Sequence, residues 1–135
     1  MHVAAFVGSS KSGKTMLITA LIRRFVTEGR RVAAIKHTHH ALNEERRGDS
    51  AAFEQAGADP VIFAADDQAV IFSGGATRRV RFDSPKQLVD AIAADIILVE
   101  GFKDYDGWPQ IELERNHHVT VEETIAILDR IWRSR

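Results

Sequence analysis

Apolar positions along this chain alternate between two periods. Val3-Ala4-Ala5-Phe6-Val7 is a short continuous apolar run, the pattern of a strand buried on both faces. From Met16 to Glu28 the period changes. Leu17, Ile18, Leu21, Ile22 and Phe25 mark one face of a helix, and Gly29 supplies its C-terminal stop. Arg31–Ile35 reads as a second strand. Residues 36–47 then lose periodicity and fill with histidine and charge, which predicts a loop. Ala51–Ala56 reads as a short helix with Asp49 or Ser50 as N-cap and Gly57 as terminator, followed by a strand over Pro60–Ala65.

The second half carries a hairpin signal, Ala69–Ser73 and Thr77–Phe82 around Gly74-Gly75. Ser84-Pro85 opens a helix running to about Ala93. Asp95-Ile96-Ile97-Leu98-Val99-Glu100 is a continuous apolar run ended by an acid, with Asp95 as the turn residue before it. Gln110–Leu113 is a short strand, and Thr120-x-x-Glu123 is a capping box for a last helix through Ile125, Leu128, Ile131 and Trp132. Strands alternating with helices predict an α/β fold, mostly parallel, with the hairpin adding antiparallel strands.

Between the first strand and the first helix lies Gly8-Ser9-Ser10-Lys11-Ser12-Gly13-Lys14-Thr15, the pattern G-x-x-x-x-G-K-T. Strand, glycine loop and helix start follow in the order that a phosphate-binding loop needs. The glycines allow successive N–H groups to point inward at an anion, and the helix N-terminus adds its positive end. Lys14 reaches phosphate oxygens in such a loop, and Thr15 offers its hydroxyl to Mg²⁺. The phosphate-facing set is extended to Met16 and His37.

Ligands in open α/β sheets sit at the carboxyl ends of strands. Two further segments fall there. Glu100 ends its strand where a nucleotide's Mg²⁺ needs a hard oxygen ligand. Asp49 has two open readings, a partner of water or Mg²⁺ and a helix N-cap. Glu44 and Glu45 read as a solvated charge run. The spacing of His37, His39 and His40 suits no helix face, no cysteine assists, and no H-E-x-x-H is present. That favours phosphate or partner contact over a zinc site. His117-His118 lies far along the chain. Arg78, Arg79 and Arg81 read as a solvated hairpin face that could also meet an anionic partner.

At 135 residues one domain over 1–135 is expected, and the net charge of −1 gives no bulk attraction to nucleic acid. The chain has no cysteine, which excludes disulfides and thiolate metal sites. No apolar run approaches a membrane span, and Met1-His2-Val3 leads straight into the first strand. A soluble cytoplasmic protein without a signal peptide is expected.

With these residues assembled, the chain resembles the molybdopterin-guanine dinucleotide biosynthesis adaptor protein B (MobB) family. Phe6-Val7-Gly8 through Thr15 is similar to the family's opening. Gly29 to His40, containing Ile35-Lys36-His37-Thr38-His39-His40, resembles its I-K-H-x-x-H segment. Gly48-Asp49-Ser50 with Ala56-Gly57-Ala58 resembles G-K-D-S … A-G-A. Asp95 to Lys103 resembles D-x-x-L-V-E-G-F-K, and Pro109 to Arg115 resembles P-K-I-E-x-x-R. The resemblance implies a three-layer P-loop NTPase-like fold and a GTP-binding, weakly hydrolysing accessory protein, with GTP and Mg²⁺ as cofactors. Lys14, Asp49 and Glu100 would serve hydrolysis, and Thr15 and Glu100 the metal. It also implies a homodimer, a molybdopterin guanylyltransferase partner and contact with molybdopterin. The chain departs from the pattern where no lysine stands between Gly48 and Asp49 and where Gln110 replaces a lysine. No N-K-x-D guanine-reading segment is present, so GTP over ATP rests on the resemblance. A small-molecule kinase and a nucleotide-binding adapter without useful turnover are the competing readings of the same loop.

Overall fold

The computed structural model describes residues 1–9, 12–39, 42 and 48–134, without the side chains of Asp49 and Ser50. Among them, strands β1 (His2–Val7), β2 (Val32–His37), β3 (Val61–Ala64), β4 (Gln68–Ser73), β5 (Ala76–Arg81), β6 (Ile96–Glu100) and β7 (Gln110–Glu112) form one sheet in the order β5-β4-β3-β2-β6-β1-β7. Pairs from β3 to β7 are parallel, and the hairpin β4–β5 adds the antiparallel edge. The mostly parallel sheet with an antiparallel hairpin is therefore as the sequence predicts.

The helices are α1 (Lys14–Thr27), α2 (Gly48–Ala56), α3 (Pro85–Asp90) and α4 (Val121–Arg133). Strand alternation assigns the two sheet faces. Ala4 and Phe6 of β1, Val32 and Ala34 of β2, and Ile96 and Leu98 of β6 pack with Leu21 and Phe25 of α1, Phe53 of α2 and Leu128 of α4. Ala5, Ala33, Ile35, Ile97 and Val99 point the other way, to Leu88 and Val89 of α3 and to Phe102 and Trp108. The result is three layers, helix, sheet and helix. No described helix is long and apolar enough to cross a membrane.

Local signals place the ends. Gly29 (φ 85) follows α1; its N–H donates to Val26 O (2.9 Å), and Arg30 N–H donates to Phe25 O (3.0 Å). This double bond satisfies carbonyls that the last turn leaves open. The Glu123 N–H donates to Thr120 Oγ1 (3.0 Å), so the predicted cap of α4 is present. Trp132 anchors the far end of α4, its Nε1–H donating to Val3 O (3.1 Å).

Three expectations are corrected. Lys36 and His37 belong to β2, not to a loop. The polar residues still alternate across the pleat, and the strand continues because β3 pairs with both of them and β6 pairs with Lys36. Asp49 and Ser50 lie inside α2, which starts at Gly48, so neither is its N-cap. Helix α3 ends at Asp90 rather than near Ala93, and Ser84 precedes it without a side-chain cap bond.

Candidate functional site

Three parallel strands deliver their carboxyl ends to one cleft of about 510 Å³, with Val7, His37 and Glu100 at its rim. The glycine loop turns from β1 into α1 at this edge. Gly8 (φ 149) is required there: a Cβ would come within 2.4 Å of the Leu113 carbonyl oxygen. Gly13 (φ 86) stands at the N-cap of α1 in the left-handed region. Lys14, the first helical residue, folds back over the loop, and its Nζ donates to the carbonyl oxygens of Gly8 and Ser9, each at 2.8 Å. The Ser12 hydroxyl is buried without a hydrogen-bond partner among the described residues. Such an orphaned donor beside a helix N-terminus suits a phosphate oxygen.

Glu100 reaches this loop because of parity. It follows Ile96 and Leu98 on the face that meets α1, and Lys36 follows Val32 and Ala34 on the same face of the neighbouring strand. The register sets Lys36 and Glu100 side by side. Thr15 Oγ1 donates to Glu100 Oε1 (2.7 Å), while the Lys36 ammonium pairs with Glu100 Oε2. Glu100 is only 4% exposed, so its charge is met by a cation and a hydroxyl rather than by water. Adjacent hydroxyl and carboxylate oxygens are the hard donor set that Mg²⁺ takes, so Thr15 and Glu100 fit the ion that a nucleotide's phosphates would bring.

His37 points to the opposite face from Lys36. Its ring stacks on Phe102 (centroids 4.0 Å apart, 17°), and its Nε2 lies 2.8 Å from Asp66 Oδ1. Gly101 (φ 105) lets β6 end beside it; a Cβ there would sit 2.9 Å from the His37 Cβ. Burial holds the His37 pKa below its ordinary value, against the opposing pull of the Asp66 hydrogen bond. That same hydrogen bond holds the Asp66 carboxyl below the usual carboxylate range.

The structure thus brings together Gly8, Gly13, Lys14, Thr15, Met16, His37 and Glu100 around one cleft, with Ser9 joined to it by the Lys14 ammonium and Ser12 by its N–H to the Ser9 carbonyl. Met16 lies at its rim, 80% exposed. Ser10, Lys11, His40, Glu44 and Glu45 lie outside the described residues, as does the Asp49 side chain. Sequence reasoning missed Lys36 as the partner of Glu100 and Asp66 as the partner of His37. Continued alternation past Ile35 is a signal for the first. Only topology brings in the second: His37 pairs with Ala64, two residues before Asp66.

A larger cleft, of about 830 Å³, opens at the opposite edge near Val32 and Pro60, beside Arg30, Arg31, Arg78 and Arg81. It lies at the amino ends of the strands, away from the glycine loop, and the loop's anion chemistry decides for the smaller cleft.

The sheet order and the glycine loop between β1 and α1 define a P-loop NTPase-like fold. The family described as molybdopterin guanine dinucleotide synthesis protein B, MobB, matches residues 3–131, and the chain belongs to it. It is 38% identical over 109 residues to the molybdopterin-guanine dinucleotide biosynthesis adapter protein of Haemophilus influenzae, covering 80% of this chain and 60% of that protein. With the adapter protein of the same description from Escherichia coli it shares 35% identity over 101 residues, 73% of this chain and 58% of that one. The chain thus spans about three-fifths of the length of these relatives. The solved structure of Bacillus subtilis MobB matches the fold with a TM-score of 0.55 at 20% identity, covering 95% of this chain and 74% of that one.

Proposed function

We propose that this chain binds GTP with Mg²⁺, hydrolyses it slowly, and acts as an adapter in the synthesis of molybdopterin guanine dinucleotide. The observation that carries the reading is the meeting of Lys14, Thr15 and Glu100 at the start of α1. Its biosynthetic part rests on family membership and on the names of the two relatives.

The loop N–H groups and the Lys14 ammonium hold the phosphates, exchanging loop carbonyls for phosphate oxygens. Thr15 and Glu100 would hold Mg²⁺, which would supply charge neutralisation for the phosphates when bound. Asp49 or Glu100 orients water. The chain's contribution is mostly positioning and charge, so turnover depends on how many cations reach the γ-phosphate. Among the described residues lining the cleft the cations are Lys14, Lys36 and Lys103, with no arginine. Arginine fingers accelerate this chemistry by several orders of magnitude, and the slow turnover in this reading comes from the resemblance to the family. A homodimer, a guanylyltransferase partner and molybdopterin contact belong to the same reading.

Calorimetry with GTP and ATP, each with and without Mg²⁺, tests it. GTP binds, Mg²⁺ tightens binding, and ATP binds more weakly. Lys14→Ala removes a charge-assisted contact of about 3 kcal/mol, a loss of about a hundredfold in affinity. Equal affinity for the two nucleotides removes the guanine assignment. Unchanged affinity in Lys14→Ala removes the site.

A further inference from the structure

His37, His39 and Asp66 form a cluster at the carboxyl end of β2. Asp66 Oδ1 lies 2.8 Å from His37 Nε2 and 3.4 Å from His39 Nδ1. One ligand atom from each of the three residues falls within 4.8 Å of the others. We propose that these side chains are a binding site for a zinc-class divalent ion, separate from the oxygen pair of Thr15 and Glu100.

Geometry and donor chemistry both support the assignment. Two imidazole nitrogens and one carboxylate oxygen are a borderline donor set. It suits Zn²⁺, Co²⁺ or Ni²⁺ and is poor for Mg²⁺, which takes oxygen. Bonds of about 2.0–2.1 Å in tetrahedral arrangement set neighbouring ligand atoms about 3.3 Å apart. The His39–Asp66 separation already has that value. The His37–Asp66 pair must open slightly, and the exposed Asp66 side chain, at 68%, is free to give.

The three ligands differ in rigidity. The His37 side chain is 8% exposed and held by stacking on Phe102, so one ligand is fixed in advance. The His39 ring meets it edge-on, centroids 4.7 Å apart at 81°, and is itself largely exposed. A small cavity of about 290 Å³ opens beside the cluster, with Asp104 and Tyr105 on its wall. The ion would keep an open position toward it, as exchangeable or catalytic sites do and closed structural sites do not. Bound there, it would tie the segment after β2 to the turn between β3 and β4. The histidine spacing alone gave no such site, because its carboxylate comes from a turn 29 residues further along.

The test uses the full chain after chelator treatment. ZnCl₂ titration by calorimetry is followed by Co²⁺ absorption, whose visible bands report coordination number and nitrogen ligation. About one ion per chain binds, and His39→Ala and Asp66→Asn each weaken binding by at least about tenfold. A His2→Ala/His117→Ala/His118→Ala variant binds as the parent does. Both single variants keep the parent's melting temperature without metal, because the substituted side chains are exposed. GTP affinity measured in parallel separates loss of this site from loss of the phosphate loop. The proposal is overturned if neither ion binds the parent chain at micromolar levels, if His39→Ala and Asp66→Asn bind as the parent does, or if the triple variant abolishes binding.

Discussion

Lys36 and Glu100 make the strongest energetic prediction of the site. Glu100 has a side chain 5% exposed and Lys36 one 21% exposed, and the two are adjacent in register on β2 and β6. Removing one partner of a buried pair costs about 3–5 kcal/mol, because the remaining charge stays desolvated. Lys36 still reaches water with a fifth of its side chain. Glu100→Gln also keeps an oxygen for the Thr15 hydroxyl, so its cost falls to about 2–4 kcal/mol. Lys36→Met leaves a more deeply buried carboxylate and costs about 3–5 kcal/mol. With both changes no charge is stranded, and the double variant loses only about 1–2 kcal/mol. The cycle therefore yields a coupling of several kcal/mol, with the double variant far more stable than additivity allows. Urea unfolding with a common slope measures each corner. For a chain of this length 1 kcal/mol corresponds to about 3–4 °C, so melting temperatures give the same ordering. A coupling under about 0.5 kcal/mol would refute the claim that this is a desolvated, mutually dependent pair.

Two further outcomes follow from backbone geometry and capping. Gly101→Ala places a Cβ at φ 105 and 2.9 Å from the His37 Cβ, so it destabilises by about 1–3 kcal/mol and moves the His37 imidazole resonances. Thermal unfolding and a histidine-selective NMR spectrum check it; an unchanged melt shows that the close approach is not needed. Thr120→Ala removes the acceptor of the Glu123 N–H and costs about 1 kcal/mol, while Thr120→Ser retains most of the stability. Equal melts for the two variants would mean that the hydroxyl does not hold the start of α4.

What could be read from the chain follows the range of the interaction that fixes it. The phosphate loop is local. Two glycines, a lysine and a threonine between an apolar strand and an amphipathic helix carry the anion-loop pattern within one short stretch of sequence. The acid at the end of β6 is also legible, because a buried parallel strand is a continuous apolar run and Glu100 breaks it at the strand's carboxyl end. The end of β2 is harder. Polarity begins at Lys36, and polarity in a run suggests that the strand has stopped. Pairing with β3 and β6 instead carries the alternation two residues further. The start of α2 is misread for a related reason: apolar periodicity begins at Ala51, but the helix extends back to Gly48.

That two-residue extension of β2 explains why one short segment serves both faces of the sheet. In a strand, neighbouring side chains point to opposite sides. Lys36 therefore turns toward α1, where Glu100 and Thr15 already stand, and His37 turns toward Phe102 and Asp66. Were residues 36 and 37 a loop, as polarity alone predicts, the pleat would no longer fix where the two side chains point. Glu100 would then be a buried carboxylate whose cation was held by no register, a costly arrangement for a group 4% exposed. The polar end of β2 is thus set by what Glu100 needs on one face and what packs against Phe102 on the other. Inserting one residue between Ile35 and Lys36 reverses the parity and exchanges the two side chains between faces. Such a chain should lose the Lys36–Glu100 coupling and the His37–Asp66 contact together. Loss of only one would mean that the two contacts do not depend on a shared strand register.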